Sequence, residues 1–243
     1  MSVPVLYPII MLTSLLVGGW LLRRSQQSLN LPQPHRVAIG LAAFCGAMIG
    51  AKAPFLLGDL AALQSGAAWF SNGKTIMCGM VGAYFAVELA KWLCGVKTKT
   101  GDSFVVPCAV AVGIGRWGCL VAGCCYGIPT TLPWGLQCAV TDDLVRHPTQ
   151  IYESLFHLCM AGLMWHLLQR GIWRGQLAKF YILSYLGYRF ATEFIRPEAR
   201  ITGGLTGYQL FAIALIPVFA LLWWWDARQL RSQASSAAKQ SLP

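Results

Sequence analysis

Residues 5–22 read VLYPIIMLTSLLVGGWLL, eighteen positions without a charge, and Arg23 and Arg24 follow at once. A helix needs about 20 mainly apolar residues to cross the hydrocarbon core of a bilayer. The stretch meets that need. Its basic residues come after the apolar run and none come before it, the reverse of a cleavable signal peptide. It reads as a retained first span with its N-terminus outside.

Six more segments of the same kind follow, at about 37–57, 75–94, 103–122, 151–169, 175–194 and 206–225. The expected fold is therefore all-α: a polytopic membrane protein with about seven transmembrane helices, N-terminus outside and C-terminus cytoplasmic. One transmembrane helical domain is expected over residues 1–230. A disordered cytoplasmic tail is expected over 231–243, because SQASSAAKQSLP is polar and small. Composition agrees with the class. Hydrophobic residues make up 56% of the 243 residues and charged ones 12%, half of the roughly 25% usual in soluble domains. Mean hydropathy is +0.54.

The net charge of +10 does not indicate nucleic acid, because the basic residues lie in short clusters between apolar runs. Arg23, Arg24 and Arg36 fill the first connection. Lys91, Lys97 and Lys99 crowd the third, and Arg170 and Arg174 the fifth. Arg228, Arg231 and Lys239 mark the tail. Loops of this kind stay in the cytoplasm. Asp59 with Lys74, and Asp142 and Asp143 with Arg146, mark the outer connections. Only the sixth connection, with Arg196 and Arg200, is basic and yet external, which invites a functional reading.

Arg116 lies in AVGIGRWGCLVAG, and Arg189 and Glu193 lie in YRFATEF. A charge at membrane depth costs several kcal/mol, about 3 for Arg on insertion scales, so such residues face the bundle interior or a water-filled cavity. Arg189 and Glu193 have the spacing of an i,i+4 ion pair, and Arg116 has the option of snorkelling to the helix end. Two arginines on different helices also suit a shared anionic ligand, and phosphate suits the planar guanidinium. His147, Gln150, Tyr152 and Glu153 are dense in RHPTQIYE, where Pro148 is placed to start a helix.

Nine cysteines are mostly single and set in apolar runs, as small buried hydrophobes are. Cys119, Cys124 and Cys125 form the one cluster. Three thiols near His147 in sequence are a possible metal or redox set. The spacing is not C-x-x-C, however, and the cluster is read as packing or pocket lining, with no metal and no cofactor expected. Gly113-x-Gly115-x-x-Gly118 imitates a dinucleotide fingerprint. It lies inside an apolar helix and not after a strand, so the glycines are for packing. Gly46-x-x-x-Gly50 and Gly123-x-x-x-Gly127 have the spacing of close helix contacts.

GRWGCLVAGCCYGIPT, LPWG, RHPTQIYES and YRFATEFIRP, in that order, resemble the bacterial prolipoprotein diacylglyceryl transferase family. GAMIGAKAPFLL and LTGYQL extend the resemblance over about 46–222. The family transfers a diacylglyceryl group from phosphatidylglycerol to the lipobox cysteine of a preprolipoprotein and releases glycerol phosphate. The resemblance implies the bacterial cytoplasmic membrane, an active site toward its outer face, phosphatidylglycerol and a lipobox peptide as partners, and no nucleic acid. It makes Arg189, Glu193 and His147 catalytic. It makes Arg116, Gln150, Tyr152, Glu153, Arg196 and Gly127 substrate-binding, with Arg116 on the lipid phosphate. There are departures. A histidine common before the glycines of the third helix is replaced by Met77 and Cys78, and an Asn and a Glu of the GRxG segment by Cys119 and Cys124.

The charge pattern predicts that reporter fusions at Lys97 and Asp142 give opposite sides of the membrane; the same side for both would refute the alternation.

Overall fold

A computed structural model describes residues 3–58, 75–137 and 143–240. Asp59, Lys74 and Asp142, used in the charge pattern, lie outside them. Seven α-helices run through the described residues: α1 (Val3–Gln27), α2 (Gln33–Gly58), α3 (Ile76–Leu93), α4 (Asp102–Val121), α5 (Thr149–Gln169), α6 (Leu177–Thr192) and α7 (Gly207–Gln240). Each overlaps one expected span. The last helix continues through Gln240, across most of the stretch whose composition reads as a tail.

Five of the seven are long and apolar enough to cross a membrane: Val5–Gln27, Gln33–Pro54, Ile76–Leu93, Asp102–Val121 and Gly207–Leu230. The other two differ for a chemical reason. α5 has 21 residues but carries Gln150, Glu153, His157 and His166. α6 has only 16 and carries Lys179 and Arg189. Gln150, Glu153, His157, Lys179 and Arg189 are buried, while His166, near the other end of α5, is exposed. The outward surfaces of the longer helices are apolar, with Leu15, Leu16, Leu41, Leu89 and Leu221 all exposed.

The chain divides into two compact units, one of residues 26–101 and one of residues 1–25 with 102–243. In the first, α2 and α3 pack along their length. A Cβ on Gly46 would meet Ala86 and the carbonyl of Gly82; one on Gly50 would meet the carbonyl of Cys78. Helices in lipid gain little from apolar burial, so close backbone approach through small residues supplies the attraction. The expected Gly46-x-x-x-Gly50 contact is therefore formed. The second such pair is not a helix contact, because Gly123 and Gly127 lie beyond the end of α4.

In the second unit α4 packs on α5, and α6 packs on α7. At one end the Asp102 carboxylate accepts the backbone N–H groups of Gly175 (2.5 Å) and Leu177 (3.1 Å), tying the start of α4 to the start of α6. Lys179 pairs with Asp226 at 2.9 Å at the same end. α1 lies on α4 through a hydrogen bond from Ser14 Oγ to the Ala111 carbonyl (2.6 Å) and through Gly118, against which Met11 and Tyr7 rest. Gly113, Gly115 and Gly118 are thus helix residues, two of them packing positions, as the apolar setting predicts.

Among the described residues two short antiparallel strand pairs interrupt the helices. β1 (Leu136–Gln137) pairs with β2 (Val145–Arg146), and β3 (Arg200–Thr202) pairs with β4 (Leu205–Thr206). Gly203 and Gly204, at φ 60° and 74°, turn the second. Positive φ at both central residues is what a tight hairpin asks of glycine.

Gly50→Leu should overpack the α2–α3 crossing by about 1–3 kcal/mol. A lower melting temperature in detergent, with Gly19→Leu as a control whose Cβ position is open, checks it.

Candidate active site

The polar residues gather at one end of the second unit, where α4 and α6 finish and α5 and α7 begin. Glu153, one turn into α5, is 1% exposed. Arg116 of α4 reaches its Oε1 with Nη2 at 2.5 Å. The Tyr185 hydroxyl of α6 donates to the same oxygen at 2.5 Å. Arg196 Nη1 stands 4.0 Å from Oε2. His157, one turn further along α5, has Nε2 3.9 Å from Oε1, and its Nδ1 shares a 2.7 Å hydrogen bond with the Tyr181 hydroxyl. A buried carboxylate persists only when paired and hydrogen-bonded, and helical spacing arranges this. Glu153 and His157 share one face of α5, and Tyr181, Tyr185 and Arg189 share one face of α6.

A second buried carboxylate lies beside the first group. Glu193, in the 3₁₀ turn Glu193–Ile195, takes Arg189 Nη2 at 2.9 Å on Oε2 and the Thr206 hydroxyl at 3.0 Å on Oε1. The expected i,i+4 pair is thus made. The Arg189 guanidinium also lies over the Tyr208 ring, 4.6 Å from its centroid. The β3–β4 hairpin delivers Thr206, and Gln209 Oε1 fixes it by accepting its backbone N–H at 3.0 Å.

Three buried guanidiniums, of Arg116, Arg189 and Arg196, thus face two buried carboxylates. Glu198 stands 3.8 Å from Arg196 but is 37% exposed, so solvent weakens its hold. Nε of Arg116 and Nε of Arg196 are buried without a hydrogen-bond partner among the described residues. Buried unpaired donors are uncommon and call for an explanation.

The loop after α4 carries the thiols. Gly123 at φ 66° ends the helix, with its N–H on the Leu120 carbonyl (3.2 Å) and the Cys124 N–H on the Cys119 carbonyl (3.1 Å). This paired closure is the Schellman cap. It folds Cys124 back over Cys119. From α5, Thr149 Oγ1 donates to the Cys125 carbonyl (2.5 Å) and Gln150 Nε2 to the Cys124 carbonyl (2.6 Å). Gly127 pairs its N–H with the His147 carbonyl at 2.9 Å, and a Cβ there would strike His147 and the Ile195 carbonyl. Gln150 and Gly127, expected to bind substrate, therefore hold the loop in place.

His147 and Tyr152 form a separate cluster. His147 Nδ1 and the Tyr152 hydroxyl are 3.3 Å apart, and Trp134 Nε1 donates to that hydroxyl at 2.9 Å. Among the described residues His147 shares no hydrogen bond with Glu153 or Glu193. The structure thus joins Arg116, Glu153, Arg189, Glu193 and Arg196 at one buried centre, and sets His147 and Tyr152 at its more open border.

Comparison with known proteins gives the family. The model of the prolipoprotein diacylglyceryl transferase family matches residues 3–225. The chain belongs to that family. A relative from Clostridium tetani is 28% identical over 191 residues, 74% of this chain and 76% of its own. One from Finegoldia magna is 31% identical over 186 residues, 70% of each chain. One from Gloeobacter violaceus is 34% identical over 168 residues, 63% of this chain and 62% of its own. All three are named phosphatidylglycerol–prolipoprotein diacylglyceryl transferase.

Four members of the centre were not found by sequence reasoning: His157, Tyr181, Tyr185 and Thr206. His157 had a usable signal, since it is ionisable, lies in an apolar run and follows Glu153 by four. Tyr185 precedes Arg189 by four. Thr206 had none, because a hairpin brings it across.

Glu153→Gln should leave Arg116 and Arg196 without their buried counter-charge and cost about 3–5 kcal/mol. Tyr185→Phe removes one hydrogen bond to a charged group and should cost about 1.5–3 kcal/mol. Denaturation midpoints in detergent should rank the wild type above Tyr185→Phe, and that variant above Glu153→Gln.

Proposed function

We propose that this protein transfers the diacylglyceryl group of phosphatidylglycerol to the lipobox cysteine thiol of a preprolipoprotein, with release of glycerol phosphate. The observation that carries the reading is the surplus of buried guanidinium, with two unpaired Nε donors, at the ends of α4 and α6. A lipid phosphate supplies the missing negative charge and takes planar hydrogen bonds from Arg116, Arg189 and Arg196. The shared names of the relatives add the substrate classes.

The reaction needs no nucleophile from the enzyme. The acceptor's sulphur attacks the glyceryl carbon, and the carbon–oxygen bond to phosphate breaks. Charge collects on the departing phosphate, where preorganised guanidiniums lower the barrier without reorganising. Glu153 and Glu193 hold those guanidiniums in place. Glu193 is ion-paired to Arg189 and accepts from Thr206, which keeps it on the arginine, and the proton of the thiol goes to His147 at the open border, beside Tyr152. Holding a lipid and a peptide in line adds acceleration by proximity.

All seven helices span the bacterial cytoplasmic membrane in this reading, with α5 and α6 tolerated because their polar faces meet inside the bundle. The N-terminus lies outside, the C-terminus lies in the cytoplasm, and the site opens toward the outer face. Lipid enters sideways with its acyl chains left in the bilayer, and the peptide arrives near His147.

The test is glycerol phosphate release from labelled phosphatidylglycerol in nanodiscs, with and without a cysteine-containing lipobox peptide. Release should require the peptide; peptide-independent release would indicate a lipase. Arg116→Lys keeps the charge and loses the planar fork, and should lower kcat/KM at least a hundredfold with normal membrane insertion. Glu193→Gln should lower kcat more than it weakens lipid binding, because orientation of Arg189 matters most as charge develops.

A further inference from the structure

The sulphur atoms of Cys119, Cys124 and Cys125 all lie within 4.8 Å of one another. Sequence spacing alone read them as packing, but packing does not account for three features. The Schellman cap folds Cys124 onto Cys119, so the first two thiols meet across the helix end. Cys125 then adopts φ 61°, a left-handed conformation that only Trp173 shares among the described residues other than glycine. That conformation is rare for a residue with a side chain and marks functional positions. Finally, Thr149 and Gln150 clamp the carbonyls of Cys124 and Cys125 from α5, so the three thiols are held on a fixed frame.

Sulphurs bound to one zinc ion at about 2.3 Å each stand roughly 4 Å apart. The three here already approach that separation. Among the described residues no fourth His, Cys, Asp or Glu joins the group. Structural zinc sites are closed by four protein ligands, whereas working sites keep a position open. Cys119 and Cys125 are half-buried and Cys124 is exposed, so the open side is reachable. Three thiolates on a dication carry one net negative charge. Arg116, with Nη1 3.7 Å from Cys119 Sγ, lies against this negative group.

We propose that Cys119, Cys124 and Cys125 bind one zinc ion as thiolates and that the acceptor cysteine occupies its fourth position. The inference deepens the transferase reading and rests on it. The acceptor's thiol gives up its proton to His147 on binding, and stays a nucleophilic thiolate on the metal. Its sulphur forms the bond to the glyceryl carbon while the carbon–oxygen bond to phosphate breaks. The electron pair leaves with glycerol phosphate. No electron is gained or lost. The thioether formed is a weaker zinc ligand than a thiolate and is released. Arg116 touches both the thiol cluster and the Glu153 centre, so nucleophile and leaving group are held side by side.

The full chain in phosphatidylglycerol nanodiscs is loaded with zinc or cobalt(II), and bound metal is counted by elemental analysis. One equivalent is expected, with a sulphur-to-cobalt charge-transfer band that shifts on adding a lipobox peptide and not its Cys→Ser counterpart. Cys119→Ser, Cys124→Ser and Cys125→Ser should each weaken zinc binding at least tenfold, while Cys45→Ser should not. Metal-stripped protein should lose peptide-dependent glycerol phosphate release at least a hundredfold and regain it with zinc. No stoichiometric zinc or cobalt in the folded wild type overturns the proposal, as does binding unchanged in all three serine variants or a cobalt band indifferent to the peptide. Full activity of stripped protein also overturns it and leaves the transferase reading standing. Bound zinc with a peptide-responsive cobalt band, but no release from any preparation, supports the site and removes the transferase reading instead.

Discussion

A single carboxylate organises the functional end of this protein. Glu153 is taken out of water by the ends of three helices and a turn, and it holds Arg116, Arg196, Tyr185 and His157 around itself. An uncompensated charge in such a place costs more than most single interactions return, so each partner is bound to the position of the others. α4, α5 and α6 meet as they do because the alternative leaves at least one charge buried alone. Glu193 repeats the arrangement on a smaller scale with Arg189 and Thr206, and ties in the start of α7.

The catalytic potential follows from what these pairings leave over. An arginine fully paired to carboxylates has no reason to meet a phosphate. Here the guanidiniums outnumber the buried carboxylates, and two of their nitrogens are free among the described residues. The carboxylates aim the arginines and the surplus charge waits for an anion. Gln150 and Gly127 have a structural part in this arrangement. They fix the loop after α4, and with it the place of the three thiols relative to Arg116.

Much of this was legible in the sequence, for definite physical reasons. Five of the helices announce themselves as long apolar runs, and a charge at membrane depth is expensive enough that Arg116, Arg189 and Glu193 stand out unaided. The i,i+4 spacing correctly gave the Arg189–Glu193 pair. What failed were contacts that depend on how the chain turns. Gly123 and Gly127 have the spacing of a helix contact, but one ends a helix and the other fits beneath His147. The convergence of Cys119, Cys124 and Cys125 depends on a cap and a left-handed residue, which spacing does not reveal. The apolar signal is weakest in α5 and α6 because those helices supply the carboxylates, histidine and tyrosines of the site.

The clasp between Asp102 and the first turn of α6 acts as a ruler. It starts α4 and α6 from one level. At 1.5 Å per residue, α4 then rises about 30 Å and α6 about 24 Å along their axes. Arg116 is fourteen residues up from Asp102 and Arg189 twelve up from Leu177, so the backbone of both stands near 20 Å, short of the level that α4 reaches. In the proposed reading the reacting centre is sunk below the end of α4. A water-soluble cysteine peptide would have to dip into that recess against its solvation, whereas a cysteine at the end of a greasy segment is already at the right depth. In the proposed reaction, depth then favours such an acceptor before any side chain reads its sequence.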